Sequence, residues 1–415
     1  MPSAVSSSTS GSSTLRPSTV TAGAADRIPP TAFDDHTGIT TSTVDVATIA
    51  TLTDGLFKGA AVGTLAYADY VDASGGVNGR RIDVNIGDDG STRAGNRLAT
   101  QAAMANDFAL VGGFSLEDAS GGTLLRTNPD MPDVAVTLDR GTTDLPNVFS
   151  PVPLPGGWVT GPFRYLKARF PGDVGATASL MLASPSALSQ WAAERYALER
   201  TGYRVVYDPT VPVGRTDFTP NVVAMRRAGV RVLVLDQLPA AAAAAVLRAM
   251  AAQDFHPVVV LGATDYSDAL VAKAGGATAV DGAFLEQTSA LYLGQDAAVV
   301  PAVQVFDRWV EAAAPGFQPD LYTLYGWLSA ELFAQALQRA GSDPSRGSLL
   351  RALAETTSFS GDGLVAPADP AAKMPSRCYL LAQVTGGAFT RLATPVPSST
   401  SPGFRCDGRY LSRPA

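Results

Sequence analysis

The chain has 415 residues, of which 46% are hydrophobic and 17% charged, and it carries a formal net charge of −7. That length buries a large core and predicts two domains rather than one. The acidic balance, with no basic run interleaved with aromatics, argues against a nucleic-acid partner. No apolar stretch approaches the roughly 18 residues of a membrane helix. The nearest run, residues 240–247, is short and meets Arg248.

The first 30 residues are mostly Ser, Thr, Ala and Gly, with few large apolar groups. Such a segment cannot bury enough surface to offset its ordering entropy, so a disordered tether is predicted over residues 1–38. No basic n-region followed by an apolar h-region precedes it. No cysteine occurs before Cys378, so a lipobox is absent as well. The expectation is an exported protein whose signal is missing from this sequence, with a cytoplasmic protein as the alternative.

A first strand is predicted at residues 43–50, followed by a loop through Phe57 and a helix opening near Gly59. In that helix Ala61, Leu65, Ala68 and Val71 recur at three- to four-residue spacing, and Gly75-Gly76 end it. Ile82, Val84 and Ile86 then alternate with polar residues into Gly87-Asp88-Asp89, a strand and its turn. A helix over 93–106, a strand at 108–111, the loop Gly112 to Glu117, and a strand at 134–136 ending in Thr137-Leu138-Asp139 continue the alternation. Short βα links imply a parallel sheet covered by helices.

Pro151 to Gly157 reads as a crossover, after which the alternation restarts. Strands are predicted at 178–182, 203–207, 230–235 and 257–261, and helices at 187–200, 218–227 and 239–252. A long helix over 321–339 and a hairpin, 379–384 with 389–392 around Gly386-Gly387, complete the series. The fold class is α/β with two doubly wound lobes. Lobe 1 is assigned residues 39–154 with 288–365, lobe 2 residues 155–287 with 366–406, and residues 407–415 a C-terminal tail.

Cys378 and Cys406 are the two cysteines of the chain. A bridge between them would close a loop of about 28 residues and stabilise by roughly 3 to 4 kcal/mol on the chain-entropy estimate. It would also place the protein in an oxidising compartment. Two unrelated buried thiols are the alternative.

The stretch YADYVDASGGVNGRRIDVNIGDD resembles the early portion of the type I periplasmic solute-binding proteins, the branched-chain amino acid receptor family of ABC importers. The helix start Asp217-Phe218-Thr219-Pro220, the pair Asp281-Gly282 and the helix holding Tyr322 and Tyr325-Gly326 are similar to further family features. The resemblance covers residues 39–406. It implies two hinged lobes, an interlobe cleft for a small solute, an ABC permease as partner, and no catalysis or cofactor.

Carried over residue by residue, the resemblance assigns Ser115 and Thr137 as hydroxyl donors to a ligand carboxylate, and Phe57 as the aromatic of the first loop. Leu116 and Asp139 stand in the same two loops, where the family has small or hydroxyl residues. In lobe 2, Ser186 replaces the tyrosine of a Tyr-Gly helix start, and Asp265 stands for the acid that holds an amino group. Gln237 and Tyr266 add polar and stacking contacts. These departures disfavour a branched-chain amino acid and leave another small polar or amphipathic solute. Ser115 and Ser186 are equally readable as helix N-caps, and Phe57 and Tyr266 as core.

Only His36 and His256 occur, and no HExxH, GxSxG or P-loop is present. A histidine-based triad or a typical zinc site therefore lacks its parts, and no metal is expected. The reading is a monomeric, extracytoplasmic solute-binding protein. A ligand-sensing module of the same fold and an enzyme on a doubly wound fold are its rivals.

Overall fold

The computed structural model describes residues 27–154, 156–392 and 402–412. Lobe 1 opens with β1 (Thr43–Ala50), α1 (Lys58–Asp72), β2 (Arg81–Asp88), α2 (Arg93–Asn106), β3 (Ala109–Val111), α3 (Asp118–Thr127), β4 (Asp133–Val134), α4 (Arg140–Thr143) and β5 (Val148–Phe149). Its sheet is wholly parallel, in the order β2-β1-β3-β4-β5. The central strand β1 is buried along most of its length, as helices on both faces require.

The chain then crosses into β6 (Gly157–Val159), α5 (Gly161–Arg169), β7 (Thr177–Ser179), β8 (Met181–Leu182), α6 (Pro185–Thr201), β9 (Val205–Tyr207), β10 (Thr210–Val211), α7 (Thr219–Arg227), β11 (Val232–Val234), α8 (Ala240–Ala251), β12 (Val258–Leu261), α9 (Asp268–Ala274), α10 (Ala277–Val280) and β13 (Phe284–Gln287). It returns to lobe 1 for α11 (Pro301–Ala313), α12 (Leu321–Ala340) and α13 (Arg346–Ala354), and ends with β14 (Leu380–Thr385), β15 (Ala388–Arg391) and β16 (Tyr410–Ser412). The second sheet runs β15-β14-β13-β12-β11-β7-β9, parallel except for the β14–β15 hairpin. Two separate sheets, each with its own helices, make the two doubly wound lobes.

Local signals set several boundaries. Thr92 caps α2 through Gly95 N–H at 3.0 Å, and Ser184 caps α6 through Ala187 N–H at 3.3 Å. Gly202 ends α6 in the left-handed conformation. Ser186 is therefore in the first turn of α6, and the cap is its neighbour Ser184.

Three expectations about the ends and joins are corrected. Of the tether expected over residues 1–38, residues 1–26 lie outside the described residues, and the remainder is ordered. Pro30–Asp34 form a 3-10 turn, Ala32 is fully buried, and Asp35 pairs with the buried Arg346 at 2.8 Å. The same guanidinium binds the main-chain oxygens of Met104, Phe108 and Asp107, which clamps the N-terminal segment to α2 and β3. The segment after residue 366 does not go straight to lobe 2: Lys373 Nζ donates to the carbonyls of Thr143 and Leu145 of lobe 1, at 2.8 and 2.7 Å. The tail is not free, since Tyr410–Ser412 pair antiparallel with β6. Cys378 and Cys406 form a disulfide that ties this tail to the start of β14.

The segment that recrosses to lobe 1 is held by a backbone-to-backbone contact. α1 and α12 approach so closely that a Cβ on Gly63 would lie 1.9 Å from the Thr323 carbonyl oxygen, and one on Gly326 2.1 Å from that of Ala60. Neither obstacle is a flexible side chain, so the helices themselves must separate to admit a methyl group. Gly63→Ala gains up to about 1 kcal/mol of helix propensity but overpacks a rigid contact, at a typical cost of about 1–3 kcal/mol. The expected outcome in urea unfolding is a net loss on the order of 1–2 kcal/mol. Gly172→Ala, which meets open space, should stay within about 0.5 kcal/mol.

Candidate functional site

In open parallel sheets the crevice lies at the carboxyl ends of the strands. In lobe 1 this edge is first of all a network around Asp89. The buried Asp89 carboxylate accepts from Thr51 Oγ1 at 3.1 Å, Ser91 N–H at 2.9 Å, Asn96 Nδ2 and Ser115 Oγ. One acid thus ties together the loops after β1, β2 and β3. Asp88 beside it accepts from Leu52 N–H and Thr53 Oγ1 at 3.0 and 2.9 Å, fixing the first loop.

A second acid does the same for the next loop. Asp118, the first residue of α3, accepts at one oxygen from Thr137 Oγ1 and from the N–H groups of Leu138 and Asp139 at 2.8 and 3.1 Å. Burial raises its pKa, with the hydrogen bond from Thr137 opposing. Where the β4 loop could cradle a ligand anion, the chain's own carboxylate already sits.

Above these loops stands an aromatic wall. Phe57 meets Phe114 and Tyr322 edge to face, with ring centroids 4.7 and 4.6 Å away, and Tyr325 lies 6.0 Å from Phe114. Phe57 enters from the β1 loop, Phe114 from the β3 loop, and the tyrosines one turn apart from the start of α12, which Asp320 caps through Thr323 N–H at 2.8 Å.

Lobe 2 answers with acids that lack partners. Asp265, fully buried in the turn after β12, accepts from Gly262 N–H at 3.1 Å with Oδ2, while Oδ1 has no partner. Burial raises its pKa well above the ordinary range, Asp236 adds to this, and the Gly262 N–H opposes. Asp265 is also near enough to Tyr322 of the opposite lobe to add, after burial and Asp320, to the upward shift of that phenol. Tyr292, on the segment leaving β13, is fully buried with its hydroxyl unpartnered. Below this rim Glu194, Asp236 and Glu286 bring carboxylate oxygens within 4.8 Å of one another. Burial first, and neighbouring acids after it, push Glu286 up to about 8 and Glu194 well above its ordinary value; burial pushes Asp236 up to about 6. A cavity of about 50 Å³ lies at these lobe 1 loops, lined by Asn96, Phe114, Ser115, Asp118, Val136 and Thr137, and a second, of about 260 Å³, lies away from them between β12, β13 and α8.

Two lobes, each a largely parallel sheet with βα loops at its strands' carboxyl ends, make up the chain, and residues 46–388 match the family model described as periplasmic binding protein. The chain belongs to that family. Periplasmic binding proteins are binding proteins rather than enzymes. No curated protein sequence matches the chain. Among solved structures it is similar to a branched chain amino acid ABC transporter from Thermus thermophilus with bound valine, at 16% identity over 86% of this chain and 98% of that one, TM-score 0.72. It is also similar to a fatty acid ABC transporter substrate-binding protein from Thermomonospora curvata, at 19% identity over 88% and 96%, TM-score 0.69. A leucine binding protein from Thermotoga maritima matches at 15% identity over 85% and 98%, also with TM-score 0.69. At these identities the likeness is one of fold.

The sequence-assigned residues of this periplasmic binding protein divide sharply. Phe57 is in the aromatic wall, and Asp265 is on the facing rim with a free oxygen. Ser115 is not available: its hydroxyl donates to Asp89 and accepts from Asn96 and Glu117 N–H, which exhausts its capacity. Thr137 is committed to Asp118, and Asp139 caps α4 through Thr142 N–H at 2.7 Å. Gln237 donates to Glu194 at 2.9 Å. Tyr266 is core, edge-on to Tyr292 and Phe389, with its hydroxyl on Gln295. Leu116 is half exposed on the rim. The Ser186 side chain lies outside what is described.

Phe114, Tyr292, Glu194, Asp236 and Glu286 were not singled out from the sequence, and Tyr322 and Tyr325 were named there only as part of a family-like helix. A signal existed for the tyrosines, three residues apart directly after an acidic N-cap. None existed for Glu194, a single acid followed by Arg195 in a helix. Since Ser115 donates to Asp89, Ser115→Ala should lower unliganded stability by about 1–2 kcal/mol, the cost of depriving a buried carboxylate of a donor. Thermal or urea unfolding of the ligand-free protein checks this, and an unchanged midpoint would return Ser115 to the ligand.

Proposed function

We propose that this protein captures a small amphipathic solute with a cationic or hydrogen-bond-donating head, outside the cytoplasm, and presents it to the membrane subunits of an ABC importer. The division of labour supports it: an aromatic wall on lobe 1 takes the apolar body, and the free oxygen of Asp265 on lobe 2 takes the head. The observation that carries the reading is that Asp265 Oδ1 is fully buried and unpartnered. A charged carboxylate in that position is costly unless a donor meets it.

The same geometry works against a ligand whose carboxylate is held by Ser115 and Thr137, because both hydroxyls already serve Asp89 and Asp118. Solved relatives are named for valine, leucine and fatty acid, so the fold does not choose among them. Lobe 1 comprises residues 27–154 and about 288–373 in this reading, and lobe 2 the remainder through 412. The chain segments joining them form a hinge whose closure shuts the crevice over the solute.

A thermal-shift screen over amines, polyamines, amides and amino acids tests the proposal. A cognate solute at 100 times its dissociation constant should add about 2.7 kcal/mol. Asp265→Asn should abolish the shift without lowering unliganded stability, and Phe114→Ala with Tyr322→Ala should weaken binding at least tenfold, about 1.4 kcal/mol. A solute whose shift survives Asp265→Asn unaltered would sink the assignment.

A further inference from the structure

Lobe 2 holds three buried acids that no solute reading requires. Register explains how they meet. Val234 of β11 lies opposite Ser179 of β7 and Val260 of β12, and Val260 opposite Phe284 of β13, so these side chains share one face of the sheet. Asp236 and Glu286 follow two residues on, which returns them to that face at the strands' carboxyl ends. Glu194 comes down onto it from α6, beside Trp191 and Leu198, which pack against Val232, Val234, Val260 and Phe284.

The outer oxygens are held from outside. Trp158 Nε1 donates to Glu286 Oε1 at 3.1 Å, and Gln237 Nε2 to Glu194 Oε2 at 2.9 Å. Glu286 Oε2 is buried without a partner, and beyond Gln237 the acids Glu194 and Asp236 find none but each other, their mutual hydrogen bond raising the pKa of the first and lowering that of the second. None of the ion pairs drawn among the described residues involves these acids. A separate observation points the same way: Ser179, fully buried on the same face of the neighbouring strand, has an unpartnered hydroxyl. Gly262 makes room for the arrangement, since a Cβ there would come 2.1 Å from Asp236 Cβ.

We infer that Glu194, Asp236 and Glu286, with Ser179 beside them, form a binding site for a hard divalent cation of the calcium class. Calcium takes oxygen ligands at about 2.3–2.6 Å, a reach that lets one ion touch oxygens spaced like these. The donor set is all oxygen, without nitrogen or sulfur, which selects against zinc and copper. Several protein oxygens converging on one point suit calcium better than magnesium, which keeps most of its waters. Trp158 and Gln237 act as the outer partners that orient the ligating carboxylates.

The test is calorimetric titration of chelator-treated protein with Ca²⁺, paired with Tb³⁺ luminescence excited through tryptophan, since Trp158 touches a proposed ligand. One ion per chain, a raised melting temperature and sensitised Tb³⁺ emission are expected. Glu194→Gln with Glu286→Gln should abolish all three, and Gln237→Ala should weaken Ca²⁺ binding about 10- to 100-fold. Both glutamine substitutions keep side-chain volume and remove buried like charges, so the double variant should fold, which circular dichroism verifies. Absence of Ca²⁺ binding to the wild-type chain at millimolar ion, or binding that persists in the double variant, would overturn the site. Neither result bears on Asp265 and the solute, whose readout is the thermal shift with organic ligands in chelator.

Discussion

The contact between α1 and α12 decides the topology of the whole molecule. α12 lies more than 240 residues after α1 in the chain and after all of lobe 2 apart from its final hairpin and tail. It nevertheless seats its backbone on α1 through Gly63 and Gly326, at a separation that any side chain there would forbid. A chain that must come back to its first helix before completing its second sheet has to cross between lobes repeatedly. Each lobe then becomes a mosaic of distant segments. The aromatic series Phe389, Tyr266, Tyr292, Phe306, Trp327, with successive centroids 4.9–5.9 Å apart, runs beside these crossings and joins the cores of the two halves.

The rims that face each other are built on opposite electrostatic plans. In lobe 1, Asp89 and Asp118 are buried beside hydroxyls and amides and are satisfied by them, so the loops are rigid and have little left to offer an anion. In lobe 2, Asp265 and Glu286 are buried with oxygens unpaired. An unpaired carboxylate in a dry site either takes up a proton or draws in a cation. In the proposed function this makes selection by sign precede selection by shape, and the aromatic side chains of lobe 1 extend the preference, since their negative quadrupoles also favour positive charge.

Much of this was legible in the sequence, and the losses have a common cause. β1 and α2 stand at the predicted residues, because an alternating apolar run and a capped amphipathic helix are local signals. The Asp88-Asp89 turn was likewise readable as a strand end. The hydrogen bonds of Ser115 and Thr137 were not readable, because the resemblance carries the hydroxyl but not its partner. Asp89 is 26 residues from Ser115, and Asp118 is 19 from Thr137. Glu194, between Ala193 and Arg195, reads as a solvated helix position, and only the sheet beneath α6 buries it. Tyr322 and Tyr325 were readable only as part of a family-like helix, since their contacts with Phe57 and Phe114 are made across more than 200 residues of chain.

The third crossing shows how a hinge can be narrow. Lys373 plugs into lobe 1 through the carbonyls of Thr143, Leu145 and Val148, with its amino group above the Phe149 ring. Cys378 is fastened to Cys406 in lobe 2, where Tyr379 and Arg405 exchange main-chain hydrogen bonds. Between the two anchors run only Met374, Pro375, Ser376 and Arg377. Any change of angle between the lobes has to be absorbed in that stretch, and Pro375 fixes one of its few soft torsions. In the proposed hinge closure a link so short favours rotation of the lobes over translation.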